Sequence, residues 1–214
     1  NQRKSEVHIF TFEILIVVQC PDNATSEIAL RYGFKNPEMK LLIQPFCRGT
    51  GEAIQAGVLH SRGSLVFVCD TNESIDVREF SVLERKINQM RMINNESMII
   101  GTKNESKEQN KSNLIRRLVS RTKMRYLKYI KYSPILYTRE AARWIFTNQH
   151  TSKYLYNLEQ IFIGNKREMS IGELPITLKE SGRKKSRIGV LFDLLRITYF
   201  YHAGLWTIKK KSET

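Results

Sequence analysis

The stretch RGTGEAIQAGVLHSRGSLVFVCD, Arg48 to Asp70, decides the fold class. Gly51 to His60 places Ile54 and Val58 four residues apart, the spacing of one helix face. Arg62-Gly63 then breaks the helix. Leu65 to Cys69 (LVFVC) follows as a short β-branched and aromatic run, the composition of a buried strand. Upstream, Phe12 to Val18 (FEILIVV) has the same character and reads as a strand buried on both faces. Asp22, Asn23 and Thr25 supply turn and capping groups, and Ser26 to Tyr32 reads as a short helix. Met39 to Ile43 is a second strand candidate. Downstream, Val77, Phe80, Leu83, Ile87 and Met90 recur at helical spacing, predicting an amphipathic helix over Asp76 to Arg91. Met98 to Ile100 then reads as a strand ending at Gly101. Such alternation predicts an α/β domain with a mostly parallel sheet flanked by helices. Ligands of those sheets bind beyond the carboxyl ends of the strands. The residues to inspect are therefore Gln19 to Asn23, Phe46 to Gly51, Asp70 to Glu73, and Gly101 to Lys103.

The second half reads as more helical. Asn113 to Ile130, Thr138 to Phe146, Tyr154 to Phe162 and Val190 to Trp206 are helix candidates, and Leu174, Ile176 and Leu178 alternate as a strand. The chain has 214 residues, 41% of them hydrophobic, which suits a single domain with its own core. A charged fraction of 26% excludes a disordered chain.

Thirty-five basic residues against 21 acidic ones give a net charge of +14, and so a polyanionic partner: nucleic acid or an anionic membrane surface. The excess is concentrated in two segments. Lys103 to Tyr132 carries ten basic and two acidic residues, and Ser181 to Thr214 carries eight and two. Residues 113–132 and 188–211 within them read as basic, aromatic-bearing amphipathic segments, with Tyr126, Tyr129 and Tyr132 in the first and Lys209 to Lys211 closing the second. Without a recognised nucleic-acid motif, this design favours a membrane interface, and no nucleic-acid partner is expected. The longest late uncharged run, Ile197 to Ile208, has 12 residues, against the ~20 a spanning helix needs. Cys20, Cys47 and Cys69 show no CxxC spacing and are expected to be small buried thiols.

Arg48 to Asp70, together with TREAARWIF at Thr138 to Phe146, GELPITL at Gly172 to Leu178 and LLRITYFYHAGLW at Leu194 to Trp206, resembles the dolichyl-phosphate β-glucosyltransferases in order and spacing. The resemblance runs over nearly the whole chain. It implies one inverting glycosyltransferase domain of GT-A (Rossmann-like) fold over 1–214. The implied reaction takes glucose from UDP-glucose and attaches it to dolichyl phosphate at the cytosolic face of the endoplasmic reticulum membrane, for protein N-glycosylation. It implies a divalent cation, Mg²⁺ or Mn²⁺, held by hard oxygen ligands at the diphosphate. Two readings stand beside it: a catalytically degenerate member that binds lipid phosphate or a partner, and a mannose synthase-like enzyme.

The family motifs map onto this chain with changes. The Asp-Asp-Gly-Ser after a strand is Val18-Gln19-Cys20-Pro21, so Gln19 takes the uridine-facing place. Arg48, Gly49 and Gly51 match Arg-Gly-x-Gly, where glycine lets the backbone approach a phosphate. The Asp-x-Asp metal motif is Asp70-Thr71-Asn72, with one charge lost at Asn72. Lys103 replaces an arginine, and Arg187 within Ser186-Arg187-Ile188 is a phosphate contact. Asp-x-Glu on a later helix is Asn157-Leu158-Glu159, leaving Glu159 as the acid beside a neutral Asn157. The family's membrane anchor and its first strand, with Pro-x-x-Asn-Glu, are not in this sequence. Either the chain lacks part of the uridine pocket, or that part lies upstream of Asn1.

Overall fold

The structure is a computed structural model, and it describes residues 11–20, 23–69, 77–103, 134–152, 156–177, 197 and 199–208. The basic segment 113–132, and Asp70, Asn72, Glu73 and Arg187, lie outside the described residues. So does most of 188–211, apart from residue 197 and residues 199–208.

Six strands and five helices order the described chain. They are β1 (Ile14–Gln19), α1 (Asn23–Lys35), β2 (Met39–Gln44), α2 (Thr50–His60), β3 (Leu65–Val68), α3 (Val77–Arg91), β4 (Ser97–Lys103), β5 (Ile135–Thr138), α4 (Arg139–Thr147), α5 (Tyr156–Lys166) and β6 (Ser170–Ile176). The alternation read from the sequence is there, and α3 starts within a residue of its expected bounds. The expected mostly parallel sheet is corrected. β1 and β2 form a parallel pair of their own, and the other four strands run in the order β3-β5-β4-β6. β4 and β6 are parallel, but β5 is antiparallel to both β3 and β4. The sheet structure is therefore only partly parallel. The strand that reverses it, ILYT, spans four residues and enters α4 with no intervening loop, so no turn signal marks it in the sequence.

Period-two alternation sorts the four-stranded sheet into two faces. Val66, Met98, Ile100, Ile135 and Tyr137 pack on one side with Val58 of α2, Ala141, Ala142, Ile145 and Phe146 of α4, and Ile161 and Ile163 of α5. Ile99, Leu136 and Ile176 pack on the other with Leu83 and Ile87 of α3, four apart and fully buried. β1 departs from its expected burial on both faces: only Val18 is buried, and Ile14 is exposed. The β1–β2 pair is covered from α2, where a Cβ on Gly57 would lie 2.9 Å from Val17 Cγ2. The same helix contributes Val58 and Ile54 to the main core, so α2 bridges the two sheets. Its N-terminus and the segment after α4 converge, and that junction positions the site.

Candidate active site

β1 and β2 end side by side at Gln19 and Gln44. Gln19 does not stand free to meet a nucleobase through its amide nitrogen: Nε2 donates to Gln44 Oε1 at 2.8 Å. Cys20 follows with φ 47° and is bonded through sulfur to Cys47, Cα to Cα 5.3 Å. Parallel neighbours that end together bring these residues into contact across 27 positions of sequence. The expectation of separate buried thiols is thereby corrected, and Cys69 is exposed.

The loop after Cys47 carries Arg48, Gly49 and Gly51. Arg48 is exposed, lies over the Phe46 ring at 5.6 Å and pairs with Glu52 at 3.3 Å. An exposed pair of this kind holds its partners weakly, so the guanidinium is available to an anion. Gly49 caps α2 with φ 115°, a conformation that side chains with a Cβ rarely adopt. Gly51 is glycine for another reason than the one expected. A Cβ there would stand 2.5 Å from Thr151 O and 3.0 Å from Ser152 C, so its close approach is to protein backbone. Gly51 N donates to Ser152 O at 2.8 Å, and Glu52 N reaches the same oxygen at 3.3 Å. The carbonyl of Ser152 thus satisfies donors that a helix N-terminus leaves open.

Segment 149–152 is itself fixed by Glu159. This carboxylate is fully buried in the first turn of α5. Oε1 accepts from His150 N at 2.9 Å and Tyr201 Oη at 3.0 Å, with His150 Nδ1 at 3.2 Å; Oε2 accepts from Thr151 N at 2.6 Å. A buried carboxylate is tolerated only when donors surround it in this way. Burial, then the Glu159 charge, holds the Tyr201 phenol far above its ordinary range, so it remains a donor. Glu159 therefore holds segment 149–152 in place through its oxygens. Asn157, also buried, stands two residues before it.

A second line of contacts reaches the loop from the sheet. Tyr137 Oη donates to Gln160 Oε1 at 2.6 Å, Gln160 Nε2 to Gln149 Oε1 at 2.8 Å, and Gln149 Nε2 to Gly51 O at 3.0 Å. Burial keeps the Tyr137 hydroxyl protonated. Gln55 of α2 closes the circuit, donating to Phe146 O at 2.6 Å and Gln149 O at 3.2 Å. The sequence offered no motif for His150, Gln149 or Gln160, and Tyr201 lay within the Leu194 to Trp206 stretch without an assigned role. Its one signal was a polar run, Asn148 to Ser152, between two largely buried helices.

Beyond His150 lies an aromatic cluster. Its ring stacks on Trp206, centroids 4.8 Å apart and planes at 10°, and meets Tyr201 edge-on at 6.1 Å. Phe200 and Phe162 extend the cluster, while Tyr199 and Leu205 are exposed. The structure thus joins Arg48, Gly49, Gly51 and Glu159 through 149–152. Lys103 ends β4, paired in register with Ile176. Asp70 and Asn72 follow the end of β3 outside the described residues. Among the described residues, no cluster of three His, Cys, Asp or Glu side chains could hold a metal.

No family model matches the chain. It is 35% identical over 228 residues to a Trichomonas vaginalis protein named dolichyl-phosphate beta-glucosyltransferase ALG5C, covering 100% of this chain and 68% of that protein. ALG5D of the same organism, also named a dolichyl-phosphate beta-glucosyltransferase, is 30% identical over 225 residues, covering 99% and 69%. A human protein named dolichyl-phosphate beta-glucosyltransferase is 24% identical over 230 residues, covering 98% and 70%. Among solved structures, Staphylococcus aureus TarS 1–349 in complex with UDP-GlcNAc matches with a TM-score of 0.54 at 13% identity. That match covers 85% of this chain and about half (53%) of the TarS chain, and it shows the GT-A glycosyltransferase fold.

Proposed function

The chain belongs to the dolichyl-phosphate β-glucosyltransferases, and on that premise we propose that it transfers glucose from UDP-glucose to dolichyl phosphate. The likeness along the whole chain to a protein of that name carries the reading. In the reaction an acceptor phosphate oxygen attacks the anomeric carbon in line, that carbon's bond to the diphosphate oxygen breaks, and UDP leaves with the bonding pair. The anomeric configuration inverts.

The described residues suit this chemistry. A phosphate acceptor has a second pKa of about 6 and is largely ionised at neutral pH, so the reaction needs no strong base from the protein. That agrees with a Glu159 whose oxygens are committed to His150, Thr151 and Tyr201, and with a neutral Asn157. Glu159 instead fixes the backbone that sets the Arg48-Gly49-x-Gly51 loop, where Arg48 supports the diphosphate. Lys103 and Arg187 are the further cationic contacts we assign to phosphate, and Gln19 lies at the uridine end. Asp70 and Asn72 offer a carboxylate and an amide carbonyl, hard oxygens fit for Mg²⁺ or Mn²⁺ with one charge fewer than a pair of acids. When bound, the cation offsets charge growing on the diphosphate.

We place the site on the cytosolic face of the endoplasmic reticulum membrane. The exposed Tyr199 and Leu205 and the Lys209 to Lys211 run support contact with an anionic lipid surface. Among the described residues no helix is long and apolar enough to cross a membrane. The test is incubation of the full chain with UDP-glucose, dolichyl phosphate and Mn²⁺ in liposomes. Glucosyl-lipid formed above a no-enzyme control is expected; its absence, with saturable binding of lipid phosphate retained, favours the degenerate-member reading. GDP-mannose replacing UDP-glucose as the better donor favours the mannose synthase-like one.

A further inference from the structure

We propose that His150 is the residue that meets the phosphate of the lipid acceptor, an assignment that rests on the transfer reading above. Two neighbours define its place. Its backbone belongs to the segment that packs on Gly51, with Thr151 O and Ser152 O against that glycine. Its ring stacks on Trp206 and touches Tyr201, in the aromatic cluster that ends in the exposed Tyr199 and Leu205. An acceptor phosphate has to lie between the donor diphosphate and a polyisoprenyl chain that stays with the lipid. His150 stands at the junction of the donor loop and the aromatic cluster, next to the Thr151 and Ser152 carbonyls on Gly51 and with its ring on Trp206.

The ring is also oriented for the task. Nδ1 faces the buried Glu159 carboxylate at 3.2 Å, with Tyr201 Oη 3.5 Å away, while the side chain is 34% exposed. A carboxylate behind one ring nitrogen fixes the tautomer and aims the other outward. Held between Glu159 and a phosphate, the imidazole turns one ring nitrogen toward each anion. Glu159 acts through His150 as a positioning residue. The sequence gives no sign of this pairing, because the eight residues between the two span the junction of α4 and α5.

The test measures binding directly, by calorimetry on the full chain, with a short-chain isoprenyl phosphate and separately with UDP. His150→Asn keeps a donor at the Nδ1 position and removes Nε2. It is expected to weaken the isoprenyl phosphate about tenfold or more, the loss of one charge-assisted contact, and to leave UDP within about twofold. His150→Gln, whose amide reaches the Nε2 position, is expected to keep most of the affinity. Unchanged lipid-phosphate affinity in the Asn variant overturns the assignment, as does equal weakening of both ligands, which marks loop support only. Wild-type protein that does not bind the isoprenyl phosphate also overturns it. Binding without glucosyl transfer overturns the transfer reading and leaves His150 in place. In wild-type protein the His150 imidazole resonances should shift as the isoprenyl phosphate is added. Resonances unmoved at saturation refute the contact without any variant.

Discussion

Gly51→Ala tests the central joint of the site. An added Cβ falls 2.5 Å from Thr151 O and 3.0 Å from both Ser152 C and Ser152 O, where ordinary contact begins at 3.4 Å. The segment would have to retreat by about 0.9 Å, and every obstructing atom is backbone. Retreat is opposed by the Glu159 bonds to His150 N and Thr151 N and by Gln149 Nε2 on Gly51 O. Overpacking of this kind costs about 1–3 kcal/mol, and stretching the Gly51 N to Ser152 O bond adds about 1 kcal/mol. The expected loss is about 3 kcal/mol, which for a chain of this size lowers Tm by roughly 6–12 °C. Because the displaced loop carries Arg48, UDP affinity should fall along with stability. Urea unfolding and calorimetry with UDP on the same preparations read both effects. A variant within about 0.5 kcal/mol of wild type, with unchanged UDP affinity, would refute the account of this glycine as a backbone contact point.

Three further outcomes follow from other contacts. Tyr137→Phe leaves the buried Gln160 carbonyl without the hydroxyl it accepts from at 2.6 Å, and should cost about 1–3 kcal/mol in urea unfolding; a neutral result would show that the buried relay does not support the loop. Glu13 is held below its ordinary value of 4.5 chiefly by Lys40 at 2.7 Å; burial opposes this, and the Arg62 backbone N–H adds a smaller lowering effect. Its stabilisation is therefore present above about pH 4.5 and lost as pH falls through the lower folded value. Glu13→Gln should accordingly flatten the acid limb of stability below the ordinary value of 4.5, and an unchanged limb would count against the Lys40 pairing. Asn72→Asp restores a second carboxylate after β3 and should tighten Mn²⁺ by about tenfold in calorimetry; unchanged affinity would remove Asn72 from the metal set.

Local pattern revealed the elements that local pattern controls. Leu65 to Cys69 and Met98 to Ile100 are continuous apolar runs, and each lies on a strand. Leu83 and Ile87, four apart, set the buried face of α3. β5 escaped because its four residues join α4 through Thr138, whose hydroxyl accepts from Ala141 N, with no glycine or proline to separate the two. That omission made the sheet read as mostly parallel. β1 illustrates the converse error: an apolar run signals burial only where something covers it, and Ile14, at the start of the two-stranded sheet, is exposed.

The site was legible in its residue types more than in its roles. Arg-Gly-x-Gly was visible, but whether a glycine yields to phosphate or to backbone depends on what arrives from elsewhere in the chain. At Gly51 the arrival is Thr151, a hundred residues later. Glu159 presents the same problem for an acid. Its family position suggests a base, yet its oxygens accept from two backbone N–H groups and a phenol. The acceptor chemistry makes this consistent, since an ionised phosphate supplies its own nucleophilic oxygen. A carboxylate in this enzyme class can then be spent on holding a loop. Loss at Glu159 should therefore appear first as loop disorder and weakened ligand binding, and not as a selective fall in the chemical step. Glu159→Gln with normal stability and ligand affinity but a kcat lowered at least about a hundredfold would reverse that conclusion.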